Sequence, residues 1–212
     1  MGLRLAVLVT GASGMLLPIH ALRLLSAEDS VEALHLVVSK GAAKVLEHEL
    51  ADMGDPSGPQ NLLERAELSS QQLAKIETHA DDELDATIAS GSYRLDGTAV
   101  LPCSAGTLGS LASGHSGTLT LRAGAVALKE GWPLVLCFRE TPLSRVHIEN
   151  MRHLAYRGAV LLPPVPAFYV GGSSMERFLD AYIQRLFDCL GIDATMDPSL
   201  RWSGGQGPLG ES

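Results

Sequence analysis

Five short apolar runs, each closed by small or charged residues and followed by a helical pattern, restrict what this chain can fold into. Leu5–Val9, Leu34–Val38, Ala99–Leu101, Leu134–Phe138 and Ala159–Leu162 show almost no polar alternation, which marks strands buried on both faces. Helices are predicted between and after them: to about Leu25, over Ala42–Leu50, from about Leu108, over Thr118–Glu130, Ser144–Arg157 and Met175–Leu190. Pro18 requires that the first of these has only just begun there. Strands alternating with crossover helices imply an α/β fold, a doubly wound and mainly parallel sheet in a single domain. The strand order does not follow from the sequence.

The helix patterns also assign faces. In Ser144–Arg157, Val146, Ile148, Met151 and Leu154 are predicted to point inward; in Met175–Leu190, Phe178, Ile183, Leu186, Phe187 and Leu190 pack and Arg185 faces away. Residues 51–80 lose the apolar pattern and read as a variable loop or helix segment. Asp81-Asp82-Glu83-Leu84-Asp85 opens a short segment, where capping and solvation suit it better than magnesium binding. The domain is expected to span residues 1–196. The Gly/Pro/Ser-rich tail 197–212 should be flexible, with Arg201-Trp202 able to dock on a neighbour.

Two loops carry the first hint of chemistry. Thr10-Gly11-Ala12-Ser13-Gly14 lies between a strand and a helix, where glycines let the backbone approach an anion and free N–H groups point at it. A plain tight turn explains it nearly as often. Pro102-Cys103-Ser104-Ala105-Gly106-Thr107 repeats the arrangement, and two such loops at one sheet edge favour a nucleotide-like ligand. Arg139-Glu140 ends the strand 134–138, which suits either an anionic ligand with a titrating group or a solvated turn. Arg122 and Lys129 are two helical turns apart and share a face, as two surface cations also would. Ser39 reads as a helix cap, and Glu49 as a carboxylate near a helix end that the dipole disfavours.

A formal net charge of −8 argues against nucleic acid or an anionic membrane as partner, and no apolar run approaches the roughly 20 residues of a membrane helix. The three cysteines lack metal-ligand spacing, and their odd number fits reduced thiols. A soluble, cytoplasmic protein is expected.

Taken together the motifs resemble the UbiX family of flavin prenyltransferases, within the flavodoxin-like FMN-binding flavoproteins. The resemblance rests on Thr-Gly-Ala-Ser-Gly (10–14), Ser39-Lys40, Ser90-Gly91-Ser92, Pro-Cys-Ser-Ala-Gly-Thr (102–107), Arg122-Ala123 and Leu-Lys-Glu (128–130). It continues through Pro-Leu-Val-Leu (133–136), Arg-Glu-Thr-Pro (139–142), His147 to Met151 and Pro-Pro-Val-Pro-Ala-Phe-Tyr (163–169). It implies transfer of dimethylallyl from dimethylallyl phosphate to N5 of reduced FMN, with ring closure at C6. No metal is required, and the prenylated FMN serves a UbiD-type decarboxylase.

By the same resemblance, Gly11, Ala12, Ser13, Ser39, Ser104, Ala105, Gly106, Thr107 and Arg139 hold FMN. Ser90, Gly91, Arg122, Lys129, Tyr169, Arg185 and Trp202 hold the prenyl phosphate, and Ser13, Glu49, Lys129 and Glu140 are catalytic. Arg139-Glu140 is then expected beside Lys129, Tyr169 and Arg185 in one phosphate pocket. Members form large homo-oligomers, a dodecamer among them, with sites at subunit interfaces.

The chain departs from the family pattern in a longer, bulkier segment at 15–20, in Gly124-Ala125, in Gly131-Trp132 and at Val170. These departures leave room for a paralogue using allylic phosphate chemistry on another acceptor or by cyclisation, and for an FMN-binding accessory protein of a decarboxylase. An FMN-dependent cysteine decarboxylase fits less well, because the 102–107 motif lacks the Asn of that group.

Overall fold

The topology follows from where the apolar runs fall. In the computed structural model, which describes residues 2–50, 58–170, 174–194 and 197–202, each run is a strand. The order along the chain is β1 (Leu3–Val9), α1 (Leu16–Ala27), β2 (Val31–Val38), α2 (Lys40–Glu49), α3 (Pro59–Arg65), α4 (Ser70–Leu73) and β3 (Ile76–His79). Then come β4 (Gly97–Cys103), α5 (Ala105–Ala112), α6 (Leu119–Glu130), β5 (Leu134–Phe138), α7 (Arg145–Tyr156), β6 (Val160–Leu161) and α8 (Met175–Leu190).

The sheet runs β3-β2-β1-β4-β5-β6, and every pairing is parallel. Without the β3 edge, the remaining five strands follow the 2-1-3-4-5 order of flavodoxin-like sheets. The chain reverses its winding direction between β1 and β4, so the crevice at their carboxyl ends is where such a sheet binds ligands.

Side chains alternate across the sheet with period two. Leu5, Val7 and Val9 of β1 enter one core with Leu22 and Leu25 of α1 and Phe187 of α8. Ala6 and Leu8 enter the other, with Leu108 of α5, Leu119 of α6 and Leu136 of β5. Ser39, Ser104, Thr118, Ser144 and Ser174 cap the helices that follow them, each accepting a first-turn N–H. The helix expected from about Leu108 therefore starts three residues earlier, at Ala105.

Three expectations are corrected. Among the described part of 51–80 lie two short helices and the edge strand β3, invisible as an apolar run because Ile76-Glu77-Thr78-His79 buries little. Next, α7 does not turn Val146 and Ile148 inward. They are 66% and 51% exposed, while only Leu154 is fully buried and Met151 partly so. The apolar surface of this helix extends beyond what the described residues cover. Finally, the start of the tail is packed: Leu200 is buried against Val170 and Ala181, and Arg201 pairs with Asp188 at 2.7 Å. Residues 203–212 lie outside the described residues. Asp81 does act as a cap, accepting from Leu119 N at 2.7 Å through its carbonyl and from Thr120 N at 2.9 Å through its carboxylate.

Candidate functional site

The turn after β1 and the loop after β4 are tied into one unit by a buried threonine. Thr10 donates its hydroxyl to Pro102 O at 2.7 Å and accepts from Ser104 N at 2.8 Å. Ser104 in turn accepts from Thr107 N at 3.2 Å. On the other side, Ser39 N donates to Val9 O at 3.0 Å, which places the start of α2 against the same turn. A Cβ on Gly11 would come within 2.9 Å of the Gly41 backbone, so only glycine lets the two segments meet. The first turns of α2 and α5 thus flank the crevice, and first-turn N–H groups have no acceptor within their own helix. Gly11, Ala12, Ser13, Ser39 and Ser104–Thr107 all lie here.

The start of α1 is occupied from within. Glu49, at the end of α2, accepts from Gly14 N at 3.0 Å through each carboxylate oxygen and from Met15 N at 2.8 Å. Its own helix dipole disfavours a carboxylate there, but that of α1 welcomes it. The sequence reading missed this role because it depends on a neighbouring helix.

Glu49 also lines a cavity of about 710 Å3 with Ser13, Gly14, Arg139 and Glu140, a size within the range of small-molecule sites. The remaining wall is apolar, with Leu16, Leu17, Val165, Met175, Phe178 and Leu179. Glu140 accepts from Thr141 N at 3.0 Å, which fixes its carboxylate at the strand end. Arg139 Nε is buried and finds no acceptor among the described residues. An unmet charged donor of this kind is costly, and an anionic or strongly accepting ligand would satisfy it. The N–H groups of Gly11, Ser13, Ala105 and Gly106, which meet no acceptor among the described residues, and this guanidinium fit a flavin mononucleotide. The nearby thiols take no part: burial pushes Cys137 up to about 12 and raises Cys103 likewise, so both stay protonated.

The other predicted residues are not in this cavity. Lys129 sits on the last turn of α6, paired with Glu130 at 2.5 Å, and a Cβ on Gly91 would come within 3.1 Å of its ammonium nitrogen. Ser90, Gly91 and Lys129 therefore do meet, with Arg122 further back on the same helix. They meet at the opposite edge of the sheet, however. α6 feeds the start of β5 and Arg139 follows its end, a span of about 16 Å at 3.3 Å per residue.

A third group forms around α8. Tyr169 stacks edge-on against Trp202 with ring centroids 5.7 Å apart, and Arg185 donates to Asp188 at 2.7 Å, a carboxylate shared with Arg201. The single phosphate pocket expected around Arg139-Glu140 is thus corrected to three separate clusters within one chain. Their common location cannot be read from order along a chain.

A sheet of this order with a polar cradle at its switch point defines an α/β protein of the flavodoxin-like class. The Flavoprotein family model matches residues 1–181. The chain is 40% identical over 200 residues to the flavin prenyltransferase UbiX of Synechocystis, covering 93% of this chain and 94% of that protein. The fold matches a dodecameric FMN-dependent UbiX-like decarboxylase from Escherichia coli O157:H7 with TM-score 0.81 and 35% identity, over 95% of this chain and all of that one. It also matches AnUbiX, solved in complex with FMN and dimethylallyl pyrophosphate, with TM-score 0.76 and 36% identity over 96% and 99% of the two chains. The chain belongs to the UbiX family of flavin prenyltransferases.

Proposed function

We propose that this chain transfers the dimethylallyl group of dimethylallyl phosphate to N5 of reduced FMN and closes a ring at C6, acting without a metal. The observation that carries the proposal is the cavity at the switch point, where Arg139, with its Nε unmet among the described residues, and two carboxylates, Glu49 and Glu140, face an apolar wall. A flavin carrier would need no such pair of proton-handling groups.

The N–H groups of Gly11, Ser13, Ala105 and Gly106 bind the flavin with Arg139, Ala12, Ser39, Ser104 and Thr107 shape the crevice around it, and reduced FMN supplies the nucleophilic nitrogen. In the reaction the allylic C–O bond breaks and its electron pair leaves with phosphate. Fixed cations that meet the growing negative charge lower that barrier. Leu16, Leu17, Val165, Met175 and Phe178 hold the isoprenyl chain and keep water from the allylic carbon. Glu49 and Glu140 take the proton released at N5, deliver one to the prenyl double bond so that its π pair opens and the resulting cation is attacked by C6, and take the proton C6 then loses.

The cations assigned to the phosphate, Lys129, Arg122 and Arg185, reach one such cavity only from other copies of the chain, as do Ser90, Gly91, Tyr169 and Trp202. A homo-oligomer is therefore the working enzyme, and the exposed apolar face of α7 is suited to its contacts. A UbiD-type decarboxylase is the user of the prenylated FMN. Among the described residues no helix is long and apolar enough to cross a membrane, and the cytoplasm is the proposed location.

The test is incubation with reduced FMN and dimethylallyl phosphate without oxygen. A heavier flavin by mass spectrometry is expected, and an unchanged flavin on protein that binds FMN would overturn the proposal.

A further inference from the structure

Across the sheet from this chemistry, the edge strand β3 brings three ligand-type side chains together. The parallel register pairs His35 of β2 with Glu77 and Val37 with His79. Side chains at 35, 77 and 79 consequently project from one face of the sheet. His35 Nδ1 lies 3.0 Å from His79 Nε2 and 3.4 Å from Glu77 Oε2, and His79 Nε2 lies 3.8 Å from Glu77 Oε1. Among the described residues these three form the one group whose ligand atoms are mutually close enough to hold an ion.

We propose that His35, Glu77 and His79 form a three-ligand site for Zn2+ that clamps the edge strand β3 to β2. Tetrahedral zinc with nitrogen and oxygen ligands at 2.0–2.1 Å has ligand–ligand edges of about 3.3 Å. The His35–His79 and His35–Glu77 separations, 3.0 and 3.4 Å, bracket that edge, while the 3.8 Å contact of His79 is to the other Glu77 oxygen, so the exposed carboxylate must turn for one oxygen to serve the ion. An ion among these atoms needs only small rotations of the side chains.

The outer nitrogen of His35 is also placed as a metal-bound imidazole requires, against an oxygen that fixes tautomer and orientation, and that of His79 has a carboxylate nearby. His35 Nε2 is 2.9 Å from the Tyr93 hydroxyl, and His79 Nδ1 is 3.8 Å from the Glu83 carboxylate. Both rings are buried, at 1% and 4% exposure, whereas the Glu77 side chain is 61% exposed. The ion has its approach, and a water its fourth position, on the Glu77 side.

The site is separate from the flavin crevice. His35 precedes Ser39 by four residues, about 13 Å along the strand, and its neighbours belong to the core of α5 and α6. Its effect is structural: two of the three ligands lie on a four-residue strand at the open edge of the sheet, where pairing is weakest and unwanted partners add.

The experiment uses the full chain, stripped with chelator and titrated with ZnCl2 in a calorimeter, with a parallel Co2+ titration read by visible absorption. One equivalent per chain is expected, with a tetrahedral Co2+ spectrum and a melting temperature that rises with zinc concentration. Glu77→Gln should weaken the affinity at least tenfold, as should His79→Gln. Glu77 is exposed, so its variant decides the matter even if the histidine variant fails to fold. Absence of stoichiometric binding, or equal binding in the Glu77 variant, would overturn the site. Neither readout depends on prenyl transfer.

Discussion

Replacing Glu49 by Ala separates two jobs that one carboxylate performs. In the fold it closes the N-terminus of α1 with contacts of 2.8–3.0 Å to two backbone N–H groups. A carboxylate in that position contributes about 0.3–1 kcal/mol through the helix dipole. Its hydrogen bonds add a further share, reduced from the full about 1.5–3 kcal/mol of a charged pair because water reaches this exposed side chain. Glu49→Ala should cost about 1–2 kcal/mol, a fall in Tm of roughly 2–8 °C for a chain of this size. Glu49→Gln keeps one acceptor oxygen and loses the charge, so it should fall between. Thermal melting followed by circular dichroism reads the order, and added salt should narrow the gap between Gln and wild type. Both variants should lose about 10²–10⁴-fold in turnover through the missing proton-transfer group. An Ala variant melting within about 1 °C of wild type would refute the capping argument, whatever happens to turnover.

Other outcomes follow from the same structure. Gly131, at φ 69, ends α6 in the left-handed region, so Gly131→Ala should lower stability by about 1 kcal/mol in urea denaturation. Val146→Glu with Ile148→Glu should leave the fold of the chain unchanged by circular dichroism but shift gel filtration toward smaller species. At pH 8 a thiol reagent should label Cys189, which is partly exposed, while buried Cys103 and Cys137 react only on unfolding. Burial raises Cys137 from 9.0 to about 12 in the folded state. Its contribution is therefore fully present below about pH 9 and lost as pH climbs toward 12, and Cys137→Ala should flatten that loss of stability.

Buried strands were legible because burial on both faces leaves an unbroken apolar run, as in Leu134–Phe138. β3 was not, because an edge strand needs few apolar side chains and Ile76-Glu77-Thr78-His79 supplies only one. The inward assignment of Val146 and Ile148 failed for a related physical reason. An apolar helix stripe records burial without saying whether the cover is the same chain or another. Within the site, Ser13, Glu49, Arg139 and Glu140 converge on one cavity, whereas the helix α1 that binds Glu49 could not be inferred from residues 35 positions apart. Gly131-Trp132, a departure from the family pattern, has a plain cause in the fold. The glycine stops α6, Trp132 N donates back to Ala127 O at 2.9 Å, and the indole packs on the second core.

Strand β5 holds Lys129 and Glu140 at opposite rims of the sheet, so under the proposed assignment no subunit can serve its own reaction. Inactive alleles should then complement. Coexpressing a Lys129→Ala chain with a Glu140→Gln chain would let some sites draw the intact lysine from one and the intact glutamate from the other. A fraction of activity should return in mixed particles although each parent is dead, and an excess of either mutant should poison wild-type assemblies in proportion to its dose.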